Sequence, residues 1–290
     1  MKIDGKTRIC GLIGNPVEHT LSPMIHNTLA GILGHNLVYV PFCVEEGKAA
    51  EAVAGAEALH ILGLNVTVPY KSEVMAALEE IDPLAQAIGA VNTLVGTEGG
   101  FKGYNTDMEG LYRAMTGEGI RIEGEQIILL GAGGAARAVA YLCAVKGAAK
   151  VYMLNRTLEK AQAVAQEVNG AAGREVIVPM ETKAYADLPD GQYLAIQGTS
   201  VGLWPHTEDT VVAEENFYKK IHTGFDLIYS PWETKFMRLV KAHGGQAYNG
   251  LKMLLYQGII AYELWNDVQV SEKDAKAVYE KLCGHFRRQE

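Results

Sequence analysis

Apolar and polar positions along this chain follow two rhythms. Short apolar, β-branched runs alternate with longer stretches in which apolar residues recur every three or four positions. The first rhythm predicts strands over residues 8–13, 37–44 and 61–68. The second predicts helices over 22–33, with Pro23 in the first turn, and over 47–59. Strands separated by helices of this length imply βαβ units and a parallel sheet. "VNTLVGTEGGFKGY" (91–104) reads as a hairpin turning at Glu98-Gly99-Gly100. "TDMEG" (106–110) is a capping box with Thr106 as N-cap and Glu109 three residues on, opening a helix that ends near 117–119. A second series begins at "QIILL" (126–130) and runs through a glycine turn, a helix, "KVYML" (150–154) and a helix from Thr157. It continues with strands near Val176, at "YLAIQG" (193–198) and at "GFDLIY" (224–229). From Gly250 to Trp265 and beyond the pattern is helical, with Leu251, Leu254, Leu255, Ile259 and Tyr262 on one face.

The change of series predicts two α/β domains with a boundary near residue 107, and 290 residues are enough for two cores. Hydrophobic content of 48% and charged content of 21% are those of a globular protein. A net charge of −8, with no run of lysines or arginines, argues against nucleic acid as a partner. Cys10, Cys43, Cys143 and Cys283 are far apart and form no CxxC pair or zinc-spaced cluster, so reduced thiols in a cytoplasmic protein without a metal are expected. The N-terminus lacks the long apolar core of a secretion signal. The most apolar stretch, 127–145, carries Arg137 near its middle and Gly131, Gly133 and Gly134, which suits a strand, turn and helix better than a membrane span.

"LLGAGGAARAV" places Gly131, Gly133 and Ala136 in the G-x-G-x-x-G/A pattern, after an apolar strand and at the start of a helix. Gly131 allows the tight turn, Gly133 lets backbone approach a pyrophosphate, and Ala136 lets helix pack on strand, while the helix N-terminus favours an anion. The alternative is a tight turn with no ligand. The next strand ends in Asn155-Arg156-Thr157, with no carboxylate until Glu159. A carboxylate there would serve the ribose hydroxyl of NAD and repel a 2′-phosphate, whereas a guanidinium pairs with the phosphate. NADP is therefore the expected cofactor and NAD the weaker alternative. Arg156 as an ordinary solvated arginine is the plainer possibility.

Polar clusters in the first series also need a reason. "NVTVPYK" (65–71) ends an apolar strand in a proline, a tyrosine and at once Lys71. Thr20 and Ser22 stand two apart at the mouth of a helix, where Ser22 could serve only as an N-cap. Asn92 interrupts a strand pattern in which asparagine is disfavoured, and Asp107 sits in a first helical turn, where its charge suits the dipole without any further task.

Taken together, "GNPVEHTLSP", "NVTVPYK", "GAVNTL", "GYNTD", "GAGGAARA", "NRT", "DLIYSP" and "NGLKMLLYQG" resemble, in order and spacing, the motifs of the shikimate dehydrogenase family, over about residues 10–265. The resemblance implies an N-terminal α/β substrate domain (1–106) and a Rossmann-type doubly wound NADP domain (107–249), with a cleft between them and the C-terminal helices (250–290) returning to the first. It implies Lys71 and Asp107 as the catalytic pair. Thr20, Ser22, Thr67, Asn92, Tyr229 and Gln257 would be substrate-binding. Gly131, Ala132, Gly133, Gly134, Ala135, Ala136, Asn155, Arg156, Thr157, Thr199 and Gly250 would contact the cofactor. The implied reaction is reversible NADP-dependent reduction of 3-dehydroshikimate to shikimate in the cytoplasm. The implied protein is a monomer or homodimer whose partner is its small-molecule substrate, with no nucleic acid or membrane involved. Departures from the family pattern are Thr20 in place of a serine, "IQGTSVGL" (196–203) for "INATSxGM", Lys252 for a glycine and Lys160 for a second arginine. They leave open a paralogue acting on quinate or an amino-substituted analogue. A ligand-sensing regulator on the same fold is the alternative of another class.

Overall fold

The computed structural model describes residues 3–286, which form two compact units, one of residues 3–111 and 254–286 and the other of residues 112–253. The first unit opens with β1 (Arg8–Gly14), α1 (Ser22–Leu33), β2 (Leu37–Cys43), α2 (Ala49–Ala58) and β3 (Gly63–Val66). β1 pairs in parallel with both β2 and β3, with α1 and α2 as the crossover helices between successive strands. There the parallel sheet predicted from the sequence stops. After β4 (Glu80–Ile81) and α3 (Pro83–Ile88), the hairpin β5 (Thr93–Thr97) and β6 (Gly100–Tyr104) joins with β5 antiparallel to β3, giving a mixed sheet of order β2-β1-β3-β5-β6-β4. The two-residue connection at residues 98–99 reverses the chain and makes β6 antiparallel to β5. β3 is also shorter than the predicted strand: the Tyr70 N–H donates back to the Thr67 carbonyl at 3.0 Å and turns the chain out of the sheet.

Helix α4 (Asp107–Gly117) leads into the second unit. That unit contains β7 (Gln126–Leu130), α5 (Gly134–Val145), β8 (Lys150–Asn155), α6 (Leu158–Ala172), β9 (Ile177–Glu181) and β10 (Tyr193–Gln197). It continues with α7 (Glu215–Tyr218), β11 (Ile221–Asp226), α8 (Lys235–Ala242) and β12 (Gln246–Tyr248). All six strands are parallel, in the order β12-β11-β10-β7-β8-β9. This is the doubly wound Rossmann order, with the winding direction reversing between β7 and β10. The side chains of Ile127–Leu130 and Leu194–Ile196 are fully buried, as strands covered on both faces must be. The strand predicted over 224–229 instead ends at Asp226, because the Asp226 carboxylate accepts the Ile228 N–H at 2.9 Å and closes a turn.

The last two helices are α9 (Leu251–Asn266) and α10 (Glu272–Phe286). α9 buries Leu255, Ile259, Tyr262 and Trp265. Trp265 explains Gly63: a Cβ on that residue would lie 2.0 Å from the indole nitrogen, which donates to the Leu94 carbonyl at 2.9 Å. α9 is thereby locked to the sheet of the first unit. Among the described residues, no helix is long and apolar enough to cross a membrane.

Candidate active site

The first unit gathers polar side chains where β1 and β3 end. Backbone joins the two exits, since the Asn15 N–H donates to the Val68 carbonyl at 3.1 Å. Tyr70 is fully buried and its hydroxyl donates to the Val44 carbonyl at 2.7 Å, so the turn is pinned from within by the residue next to Lys71. The Val91 N–H holds the Lys71 carbonyl at 2.7 Å. Only the lysine side chain is left to leave the core. Its Nζ donates to Asp107 Oδ2 at 2.6 Å, and Asp107 Oδ1 accepts from Asn92 Nδ2 at 2.9 Å. The side chains of Lys71 and Asp107 are 32% and 20% exposed, so the charges are paired and still reachable.

Asn92 holds this orientation because its Oδ1 accepts the Thr106 backbone N–H at 2.8 Å, which leaves Nδ2 to face the aspartate. Behind it, the Thr93 hydroxyl donates to Asn92 Oδ1 at 3.1 Å and accepts from Asn65 Nδ2 at 3.1 Å. Tyr39 closes the chain by donating to Asn65 Oδ1 at 2.8 Å. Asn65, Thr93 and Thr106 are buried members of the site that the motif reading did not select. Their signal was present, since asparagine inside an apolar strand needs a partner.

Ser22 is the first residue of α1 and not its cap; Leu21 occupies the cap position without a side-chain bond. The Thr20 hydroxyl accepts the Ser22 N–H at 3.3 Å and donates to Ser22 Oγ at 3.2 Å. Two hydroxyls therefore stand together at a helix N-terminus, where an anion is favoured. One turn on, His26 is fully buried and stacked on Tyr39 with ring centroids 4.2 Å apart, and burial drags its pKa down to about 3. Thr67 lies just past β3, and its methyl fills the space a Cβ on Gly14 would need. Gln257 meets helix α4 where Gly110 lets the α9 backbone pass, since a Cβ there would be 2.7 Å from the Gln257 nitrogen. Tyr229 belongs to the second unit, in the segment after β11, and burial raises the pKa of its phenol.

At the winding reversal of the second unit, Gly131 has φ +109, a conformation that favours glycine. Gly133 and Gly134 face open space, and α5 begins at Gly134 with no acidic residue in its first turn. Ala132 and Ala135 are at most partly covered, whereas Ala136 is fully buried. The Thr199 methyl packs on the turn, within 2.7 Å of where a Gly131 Cβ would be. At the end of β8, Asn155 donates to the Thr157 carbonyl at 2.8 Å and Arg156 is exposed, with no carboxylate paired to it among the described residues. A Cβ on Gly250 would come within 2.0 Å of the Leu227 carbonyl, so no other residue fits there. An open glycine turn, free helix N–H groups and an exposed guanidinium at the next strand suit a phosphorylated dinucleotide.

Comparison with known proteins agrees in kind. Residues 12–94 match the family description "Shikimate dehydrogenase substrate binding domain", and residues 114–183 match "Shikimate / quinate 5-dehydrogenase". The NADP(+) shikimate dehydrogenase of Desulforamulus reducens is 41% identical over 266 residues, covering 91% of each chain. The chain belongs to the shikimate dehydrogenase family. Among solved structures, a shikimate dehydrogenase in complex with NADP+ is 37% identical with a TM-score of 0.87, covering 97% of both chains. A shikimate 5-dehydrogenase from Listeria monocytogenes, in complex with shikimate and NAD, has a TM-score of 0.89 at 28% identity, covering 97% of this chain and 98% of that one. In this shikimate dehydrogenase family member, the residues between the two matched segments include Asp107, and Lys71 lies inside the first.

Proposed function

We propose that the protein catalyses the reversible NADP-dependent reduction of 3-dehydroshikimate to shikimate. The observation that carries this reading is the Lys71 ammonium held on the Asp107 carboxylate at 2.6 Å, fixed from behind and open in front. Gly131 to Ala136, Asn155, Arg156, Thr157, Thr199 and Gly250 would hold NADP, which when bound would supply the hydride in reduction and receive it in oxidation. Lys71 delivers a proton to the substrate oxygen in the reductive direction and takes it back in the oxidative one. Asp107 orients that ammonium and has acceptor capacity left for a ring hydroxyl. Asn92, its oxygen already engaged, presents only donor hydrogens toward the aspartate. Thr20 and Ser22 offer hydroxyls to the substrate carboxylate, with Thr67, Gln257 and Tyr229 as further contacts. The setting we infer is the cytoplasm, with the enzyme a monomer or homodimer.

An intact Lys71–Asp107 pair supports turnover over ligand sensing without chemistry. Initial rates of oxidation with shikimate and quinate, each with NADP+ and NAD+, test the proposal. The highest kcat/KM is expected for shikimate with NADP+. Binding without turnover for all four combinations would leave the regulator.

A further inference from the structure

The loop after β10 is folded around a single side chain. Gln197, the last residue of β10, is 1% exposed, and its amide is used in both directions. Oε1 accepts the Thr199 N–H at 2.5 Å, and Nε2 donates to the Val201 carbonyl at 3.1 Å and to Asp226 Oδ1 at 3.4 Å. The Val201 N–H turns back to Thr199 Oγ1 at 3.1 Å. Polar backbone that would otherwise need water or a strand neighbour is thus satisfied by the residue that launches the loop.

Asp226 is the other half of the node. It is fully buried; besides Gln197 it accepts the Ile228 N–H at 2.9 Å and the Thr234 hydroxyl at 2.6 Å. Thr234 in turn caps α8 by accepting the Met237 N–H at 3.3 Å. The segments following β10 and β11 and the start of α8 are therefore tied to one carboxyl group. All of its partners donate, which matches an ionised acceptor, while burial opposes the charge and pushes its pKa up to about 7.

The loop so held rests on the glycine turn. Besides the close approach of Thr199 to Gly131, a Cβ on Gly198 would lie 3.1 Å from that of Ala136 in the first turn of α5. An apolar residue at position 197 would fill the core as well as Ile196 does, so packing alone does not call for a buried amide.

We propose that Gln197, backed by Asp226, is a positioning residue for cofactor binding, fixing residues 198–202 against the glycine turn so that Thr199 meets the dinucleotide in one conformation. The proposal rests on the reading that this unit takes NADP. Gln197→Leu keeps the bulk and removes both hydrogen-bonding functions; Gln197→Asn keeps the amide one methylene short. Three quantities are measured: amide exchange at Thr199 and Val201 without ligand, the Kd of NADP+ by titration, and the Kd of shikimate. In Gln197→Leu, exchange at Thr199 should quicken at least tenfold and the NADP+ Kd rise roughly 5- to 20-fold, the scale of one or two buried hydrogen bonds. Shikimate binding should hold, and Gln197→Asn should fall between; if the leucine variant does not fold, the asparagine variant is read by the same criteria. Unchanged exchange, or faster exchange with an unchanged NADP+ Kd, overturns the proposal. If the wild-type protein itself binds no NADP+, the functional reading fails instead, and the exchange comparison still decides whether Gln197 fixes the loop.

Discussion

Beneath the ends of β1 and β3 in the first sheet lie a neutral imidazole, His26, and a chain of amides and hydroxyls running from Tyr39 to Asn92. Beneath the corresponding strand ends of the second lies a carboxyl group, Asp226, with three donors around it. The first unit keeps its charges, Lys71 and Asp107, at the surface and partly exposed; the second leaves Arg156 exposed and buries an acid. A proton-transfer group must be reached by its substrate, and here the charged pair stays partly exposed while the Asn92 amide behind it is neutral. A loop that only has to stay in place can be anchored by a group nothing needs to reach.

This contrast can be broken at the exposed guanidinium first. Arg156→Ala should weaken NADP+ binding about 10- to 100-fold, the loss of a charge-assisted hydrogen bond, while NAD+ binding changes little. Equal losses for both cofactors would make Arg156 a support for its loop and not the reader of the phosphate.

The buried groups give the two units opposite pH dependence. His26 is shifted from 6.5 to about 3, so between those values the unfolded chain holds the extra proton and the first unit loses stability as pH falls. Asp226 is shifted from 3.8 to about 7, so in that window the folded chain holds the extra proton and the second unit loses stability as pH rises. Amide exchange of core residues in β1 and β7, followed from pH 4 to 7, resolves the two. Asp226→Asn should flatten the slope for β7 and leave that for β1 in place. A β7 slope unaltered by the substitution would mean that Asp226 does not titrate in this range.

The smallest expected effect sharpens the comparison at Thr20. Its hydroxyl is committed to Ser22, and its methyl group is the one feature a serine would lack. Thr20→Ser should change the shikimate-to-quinate ratio of kcat/KM several-fold, since one methyl in a pocket is worth about 1–3 kcal/mol. Equal change for both substrates would place the methyl in packing.

The parts of this molecule that were legible in the sequence are those that local chemistry dictates. The glycine turn, the hairpin at Glu98-Gly99-Gly100 and the amphipathic face of α9 each follow from constraints within a few residues. The antiparallel pairing of β5 with β3 was not legible, because the direction of a strand's partner is a tertiary choice. The short helices α3 and α8 were missed although Asp82 and Thr234 each carry a side-chain cap, as neither has the length that makes periodicity visible. At the site, a lysine beside a strand-ending proline and an asparagine in an apolar run could be singled out. That they meet at one aspartate could not, since 36 residues separate Lys71 from Asp107. Gln197 was visible only as a departure from a motif; its use depends on Asp226, 29 residues away.

The central claim, that the first unit moves the proton and the second holds the cofactor, is tested most directly with Lys71→Ala. The measurement is kcat for shikimate oxidation at saturating NADP+, paired with the Kd of NADP+ for the same variant. In this variant kcat should fall about 10²-fold or more, with NADP+ affinity unchanged. Near-normal kcat would make Lys71 a solvated side chain with no part in moving the proton.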